Sequence, residues 1–354
     1  MPKIKPDFFS TCPTLFFTNP NRMNISFQEL SDTMKSVLIR EGFPENKAGI
    51  CANIFAINSR DGVHSHGLNR FPVFIERIRE GLIDGHSEPT LVSANGQVEQ
   101  WDGKLAPGMY NATICMDRAI QLAKSNGIGL VALRNTNHWM RGGTYGWQAA
   151  EQGCIAICAT NARANMPPWG GSSPSIGNNP LVIAVPREGG HIVLDMALSQ
   201  FSYGKLQEYE LSEKMLPVDG GYDENGVLTK DPFAIHASKR SLPIGFWKGS
   251  GLSIMIDLLV SGLSGGRSVA DITREGPEYG MSQFYICIRA EGLNKNTVEE
   301  IIAFTKESSP AENASAIRYP GEQTLINRIK SEAEGVTVNE KIWKDVLVLK
   351  GSDA

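Results

Sequence analysis

The sequence predicts a mixed α/β protein built as two domains, and three observations carry that expectation. The chain has 354 residues, more than the roughly 250–300 at which a single core stops growing. Its N-terminal and C-terminal stretches repeat apolar residues with helical period. Between them lie short apolar runs of strand character separated by turn residues.

Taken in order, the first 22 residues, MPKIKPDFFSTCPTLFFTNPNR, contain four prolines that interrupt every apolar run. Neither a signal peptide nor a membrane span is read there. They form an N-terminal extension, and Met23 is a second candidate start. Ser26 followed by Glu29, with Ile25 and Leu30 as the apolar pair around them, is expected to cap a helix over residues 27–41. In that helix Phe27, Leu30, Met34, Val37 and Leu38 share one face. Gly42 stops it, and Pro44 opens a second helix that runs to about Asn58. Gly62 and Gly67 then mark irregular backbone, which places His64 and His66 of SRDGVHSHGLNRFP (59–72) on a loop.

Residues 110–124 read as a helix closed by Asn126-Gly127. IGLVAL (128–133), CIAICAT (154–160), PLVIAVP (180–186) and HIVLDM (191–196) read as buried strands. SGLSIMIDLLVSGL (250–263) is apolar almost all round, as a helix buried in a large core would be, and SQFYICIRA (282–290) returns to strand. The tail segments TVEEIIAFTKESS and ENASAIRYP read as amphipathic helix, and no internal repeat stands out.

Apolar residues at 41% and charged residues at 20% are ordinary globular usage. The net charge of −4 is spread along the chain, so no basic face for nucleic acid emerges. The six cysteines lack the paired spacing of a zinc site or the density of a secreted disulfide scaffold, which suits a reducing cytoplasm. Cys154 and Cys158 alternate onto one strand face, where two small buried apolar residues are expected.

No Gly-x-Gly-x-x-Gly after a strand, phosphate loop, nucleophile elbow or His-Glu-x-x-His occurs. What remains is a set of polar side chains on glycine-rich turns. With a helix starting near Leu68, His66 and Arg70 would lie four residues apart, a proton donor beside a guanidinium able to clamp a carboxylate. NTNHWMRGGTYG (135–146) follows a strand end and offers His138 and Arg141. In GFWKGSGLSIM, Lys248 precedes Ser250, expected to cap the next helix, an arrangement that could receive a pyrophosphate. Each of these also has a purely structural explanation: a hydrogen-bonded loop histidine, a packed arginine, a helix cap.

Together, SHGLNRFP, ALRNTNHWMRGGTYGWQAAE, MPPWGG, GNNPLVIAVP, LPVDGGYDENG and WKGSGLSIMIDLL resemble the type 2 malate/L-lactate dehydrogenase family, most closely its 2,3-diketo-L-gulonate reductases. The likeness runs from about Met23 to about Val348. It implies an NAD(P)H-dependent oxidoreductase with a non-Rossmann, mixed-sheet cofactor domain over residues 91–292. It also implies a helical domain formed by 23–90 with 293–354, and a homodimer with the site near the subunit boundary. By position His66 matches the family's acid/base histidine, and Arg70 and His138 its substrate-side groups. The cofactor segments fall on His191, Ile192, Val193, Leu194, Asp195, Met196 and Ala197, on Trp247 and Lys248, and on Gly321, Glu322 and Gln323. The last departs from the Gly-His-Glu of relatives, which bears on NAD(H) against NADP(H), and NARAN (161–165) departs as well.

The chemistry implied is reduction of a 2-oxo acid, 2,3-diketo-L-gulonate to 3-dehydro-L-gulonate being the first expectation. His66, with an ordinary pKa near about 6.5, would give the proton. Arg70 would hold the carboxylate, His138 would hydrogen-bond the reacting oxygen or a hydroxyl, and Lys248 would hold the cofactor phosphates. Malate- or lactate-type 2-hydroxy acids, ureidoglycolate and cyclic imine carboxylates are the alternative substrates. From other classes, a metal-dependent hydrolase on His64 and His66 lacks further ligands, and a non-catalytic sugar-binding protein lacks any mark of export.

Overall fold

The structure, a computed structural model, describes residues 22–311 and 316–351. The chain enters through strand β1 (Arg22–Ile25) and helix α1 (Phe27–Arg40). The Ser26 hydroxyl accepts from the Glu29 N–H at 3.1 Å, and Leu30, Met34, Val37 and Leu38 are buried, so the cap and the apolar face fall where the pattern puts them. After Gly42 the chain continues into α2 (Glu45–Arg60), two 3-10 turns over His64–His66 and Leu68–Arg70, and α3 (Phe71–Arg79). The helix expected near Leu68 therefore begins three residues later.

Next come β2 (Thr90–Asn95), β3 (Val98–Asp102), α4 (Gly108–Asn126), β4 (Ile128–Thr136), α5 (Gly143–Glu151), β5 (Cys154–Thr160), β6 (Leu181–Val185) and β7 (Ile192–Met196). A small lobe follows, made of α6 (Tyr203–Leu211), β8 (Gly221–Tyr222), β9 (Leu228–Thr229) and α7 (Pro232–Ser238). The chain then forms α8 (Trp247–Ser264), α9 (Val269–Glu275), β10 (Met281–Arg289), α10 (Lys295–Lys306), α11 (Glu322–Glu334), β11 (Val336–Asn339) and α12 (Glu340–Lys350). Of the expected helix over ENASAIRYP, residues 316–319 are irregular and 312–315 lie outside the described residues, as does the N-terminal extension through residue 21.

The seven-stranded sheet has the order β2-β3-β4-β10-β5-β6-β7. Only its β3–β4 pairing is parallel. Such a sheet lacks the parallel switch point of a doubly wound fold. α4 and α5 cover one face, where Cys115, Val131, Tyr145, Cys154, Cys158 and Tyr285 join one core. α8 covers the other through Ile256 and Val260 against Phe284 and Ala159. A separate helical core packs Leu30, Phe55, Phe71 and Phe74 with Val336, Trp343 and Val346, and β1 pairs with β11, so both chain ends build it.

One expectation fails here. α8 was to be buried all round, yet only the face bearing Ser253, Ile256 and Val260 is covered. Leu252, Met255, Leu258 and Leu259 point outward, Leu258 with 62% exposure, because none of the described residues packs outside the helix. Among the described residues no single helix is long and apolar enough to cross a membrane.

Gly108, the first residue of α4, shows how closely the helix start meets the loop after β4. A Cβ there would stand 2.1 Å from the Asn137 carbonyl oxygen and 2.4 Å from that of His138. Gly108→Ala should therefore cost about 1–3 kcal/mol through overpacking. A thermal unfolding midpoint equal to the parent's would show that the loop has room to retreat.

Candidate active site

The loop carrying His66 is pinned to the helix that precedes it. The Asn58 side-chain amide donates to the His66 carbonyl at 2.9 Å. The Ser59 hydroxyl accepts from the Leu68 N–H at 2.9 Å. Asn58 also receives the Thr144 hydroxyl at 2.8 Å, tying the loop to the first turn of α5. These bonds satisfy backbone groups that two short 3-10 turns leave open.

His138, on the loop after β4, stacks on His66 with ring centroids 5.6 Å apart and planes inclined by 19°. Met140 adopts φ +66°, an uncommon conformation for a side-chain-bearing residue, and its N–H turns back to His138 Nδ1 at 3.0 Å. A nitrogen that accepts a backbone N–H carries no proton, so neutral His138 has its hydrogen on Nε2. His66 is different: its Nδ1 lies 3.0 Å from the Ser65 hydroxyl, which can donate or accept.

Arg70 completes the cluster, and among the described residues no carboxylate lies within ion-pair distance of it. Burial, followed by His138, Arg70 and Arg141, pushes the His66 imidazole down to about 3. Burial and then Arg70 do the same to His138, also to about 3. The ordinary pKa expected for His66 thus fails, because a stacked, desolvated pair beside an arginine disfavours its cations. Unliganded, both rings are neutral at pH 7. His64 is lowered as well, chiefly by burial, and among the described residues no three His, Cys, Asp or Glu side chains gather as a metal site.

Arg141 is not free for substrate. It donates to Asp61 at 2.9 Å and to the Thr324 hydroxyl at 3.0 Å. Asp61, whose side chain is only 1% exposed, is also met by Arg60 at 3.0 Å and by Arg328 at 3.0 Å. Burial alone would raise the Asp61 carboxyl, but the bonds and charges of Arg328, Arg141 and Arg60 together hold it below the usual range. Asp195 takes the Gly143 N–H at 2.8 Å. Burial raises its pKa against the opposing pull of Arg141 and that N–H.

Of the three segments matched to cofactor binding, His191–Ala197 is the outermost strand β7 with its flanks. Val193 N–H donates to the Pro320 carbonyl at 2.9 Å, so Gly321, Glu322 and Gln323 lie against that edge. A Cβ on Gly321, at φ +95°, would come within 3.0 Å of Val193 N. Beyond β7, Ile244 N–H donates to Leu198 O at 2.8 Å, and Phe246 then turns the chain into Trp247 and Lys248. The first two segments thus meet at the β7 edge, the third starts three residues after the Ile244–Leu198 bond, and Thr324 of α11 is tied through Arg141 to Asp61 beside the histidine loop.

α8 begins at Trp247 and its N-cap, Phe246, offers no side-chain cap. Ser250, expected as the cap, lies inside the first turn and accepts from the Trp169 N–H at 2.9 Å. In that turn the Lys248 N–H is taken by the Gly245 carbonyl at 3.3 Å and the Ser250 N–H by that of Phe246 at 3.1 Å, so the exposed Lys248 ammonium is the group that fits an anionic diphosphate. Glu322 is turned aside, its carboxylate taken by Lys306 and by the Tyr319 N–H. The NARAN loop is held by Glu278 at Arg163 N–H, 3.1 Å, and by Thr273 at Ala164 N–H, 2.9 Å. The pattern-based reading did not find Ser65, Asn58, Asp61, Thr324 or Arg328. All are common residue types, and apart from the Ser65–His66, Asn58–His66 and Arg60–Asp61 contacts their partners lie far along the chain.

The family described as malate/L-lactate dehydrogenase matches residues 25–347. A 2,3-diketo-L-gulonate reductase of Citrobacter koseri is 44% identical over 333 residues, which cover 92% of this chain and 100% of the relative. The corresponding protein of Salmonella typhi is 45% identical over the same shares. Among solved structures, malate dehydrogenase from Entamoeba histolytica aligns with a TM-score of 0.89 at 26% identity, over 93% of this chain and 98% of that one. Sulfolactate dehydrogenase from Methanocaldococcus jannaschii gives 0.82 at 28%, over 94% and 98%.

Replacing Asp61 by Asn leaves Arg141 and Arg328 buried without their counter-charge and should cost about 3–5 kcal/mol at pH 7. Because the native carboxyl sits below its unfolded value, this stabilisation is complete above about pH 4 and drains away as pH falls through the native pKa. Denaturant midpoints for parent and variant should converge in acid. A gap that stays constant would exclude the carboxylate charge as its source.

Proposed function

The chain belongs to the malate/L-lactate dehydrogenase family, and from that premise we propose a nicotinamide-dependent reductase of a 2-oxo acid, with 2,3-diketo-L-gulonate, reduced to 3-dehydro-L-gulonate, as substrate. The names of the two curated relatives support the choice of acid. The observation that carries the chemistry is the convergence of two stacked imidazoles beside Arg70, without a carboxylate among the described residues taking that arginine.

Each group has a separable task. Arg70 clamps the substrate carboxylate through two parallel N–H bonds. Burial is the main cause of the low pKa values, and the anion opposes the added effect of Arg70, so substrate binding makes a proton on the pair less costly. His138 keeps its hydrogen on Nε2 because Nδ1 is occupied by the Met140 N–H, and so it polarises the carbonyl oxygen as a neutral donor. The incoming proton goes to His66, whose second nitrogen faces a hydroxyl able to accept. A reduced nicotinamide held by the residues of the β7 segment would supply the hydride to the carbonyl carbon. His66 Nε2 delivers the proton to the oxygen, completing the alcohol, and takes it back in the reverse direction. Lys248 and the start of α8 hold the diphosphate, and His191–Ala197 with Gly321–Gln323 hold the rest of the cofactor, NADH or NADPH.

The assembly follows the same reading. Residues 23–90 with 293–354 form the helical domain and 91–292 the sheet domain, as the shared core of both chain ends supports. The outward face of α8, with Met255, Leu258 and Leu259, is a contiguous apolar surface suited to a second copy. It starts beside Trp247 and Lys248, which puts the subunit boundary next to the cofactor segments. Five buried free thiols suit a reducing, cytoplasmic setting.

His66→Asn should lower turnover of the diketo acid by about 10²-fold or more while leaving NADH binding, followed by fluorescence, close to the parent's. Preserved turnover would remove His66 from the proton step. A panel of diketo acid, malate and sulfolactate, assayed with both nicotinamides, tests the substrate, and no activity on the first would reject it. Leu258→Glu places a charge on the α8 face and should yield monomers by light scattering. An unchanged dimer mass would put the interface elsewhere.

A further inference from the structure

Two large aromatic side chains stand half in solvent at the turn that starts α8. Trp169 is 52% exposed and Phe246 48%, and their rings meet with centroids 5.3 Å apart and planes inclined by 59°. They come from remote segments, and each is fixed from behind. Trp169 sits in the MPPWGG loop, which the Met166–Ile176 bridge closes and Gly170 turns back at φ +86°. Its N–H donates to the Ser250 hydroxyl, inside the first turn of α8, at 2.9 Å. Phe246 takes φ +58° and ψ −116°, a backbone conformation that residues with side chains rarely adopt. Its N–H donates to the Pro243 carbonyl at 3.1 Å, and its carbonyl accepts from the Ser250 N–H at 3.1 Å. Ser250 therefore ties both aromatic residues to one helical turn, and the exposed notch between the rings is held in shape. Backbone strain of this kind persists only where the surroundings over-determine it, and it gathers at ligand sites.

Lys248 belongs to the same turn. A Cβ on Gly245 would lie 3.8 Å from Lys248 Cβ and 4.0 Å from its Cδ, so the lysine stem runs back beside the residue that precedes Phe246. An ammonium group next to two uncovered π faces matches the chemistry of a nucleotide, with a diphosphate for the cation and a flat base, one ribose away, for the rings. We propose that Trp169 and Phe246 form the cradle for the adenine of the dinucleotide cofactor. The inference rests on the reading of Lys248 as the diphosphate anchor. Between rings inclined as these are, a base that lies flat on one turns its edge to the other, and both arrangements are favourable for aromatic pairs. Stacking uses the π face of the base and none of its hydrogen-bonding edge. The cradle thus serves NADH and NADPH alike. The segments on the β7 edge are left to the nicotinamide half, toward the histidines.

Calorimetric titration of the full chain with the two halves of the cofactor tests this. ADP-ribose carries the adenine and the diphosphate, and reduced nicotinamide mononucleotide carries neither. Trp169→Ala and Phe246→Gly, the second of which also relieves the backbone, should each weaken ADP-ribose binding by about 5- to 150-fold, the range expected for losing one base–aromatic stack. The mononucleotide should bind each variant as it binds the parent, and Trp169→Phe should recover most of the ADP-ribose affinity. NADH and NADPH, followed by fluorescence, should lose affinity by the same factor. Parent-like ADP-ribose binding in Trp169→Ala would overturn the proposal. An equal loss for both halves would also overturn it, since the rings would then merely support the turn. Monomeric variants with unchanged ADP-ribose affinity would do the same and give the pair to a subunit contact. A parent that binds neither half nor NADH rejects the nicotinamide reading itself, whereas a parent that binds them beside a silent Trp169→Ala rejects only this inference.

Discussion

A single buried carboxylate ties the molecule together. Asp61 ends α2 at the junction of helical core and histidine loop, and it meets guanidinium groups from its own helix, from the loop after β4 and from α11. A charge so buried is tolerable only because it is paired on every side. The consequence is geometric. Arg141 cannot move without abandoning Asp61 and Thr324, and Arg328 cannot move without releasing α11. Three segments that must agree in position to form one site are therefore held to a common point.

That arrangement also sorts the arginines by purpose. Arg60, Arg141 and Arg328 are consumed by Asp61, while Arg70 stands beside the imidazoles without such a partner among the described residues. The local field is consequently positive around rings that are themselves neutral, a state that favours an incoming anion over a cation. Holding His138 through a strained Met140 turn and His66 through a hydroxyl gives two chemically identical rings different proton inventories. One can act as a fixed donor and the other as a carrier, a separation of roles set by environment.

The sheet explains where the segments proposed to bind the cofactor lie. In a doubly wound fold the dinucleotide site lies at the carboxyl ends of parallel strands. Here the strands are mostly antiparallel, β10 is inserted at the centre, and β7 is left as an edge. The edge accepts the chain around Pro320 through a backbone bond, as unpaired strand groups do. The 198–200 continuation recruits residues 242–244 in the same way, which brings the start of α8 alongside. On the far side of α8 no layer of the described residues follows, so an apolar helix is half covered.

How much of this was legible in the sequence depends on the range of each interaction. Ser26 as a cap, the apolar face of α1, the strands CIAICAT and IGLVAL and the irregular backbone at Gly62 all follow from neighbours within one or two turns, and the chain alone determines them. The crowding of His66, Arg70 and His138 onto glycine-rich loops was visible for the same reason. Their depressed pKa values were not, since these come from burial and from rings that meet only after folding. For Arg141 the sequence left a ligand group and a packed arginine both open because its partner Asp61 is 80 positions away, and Arg328 is 267 positions from the same carboxylate. α8 read as buried because periodicity reports which residues are apolar and says nothing of what covers them. Only the tertiary structure decides such questions: desolvation and long-range ion pairing are properties of the packed whole, whereas helix period, capping and turn chemistry belong to the local chain.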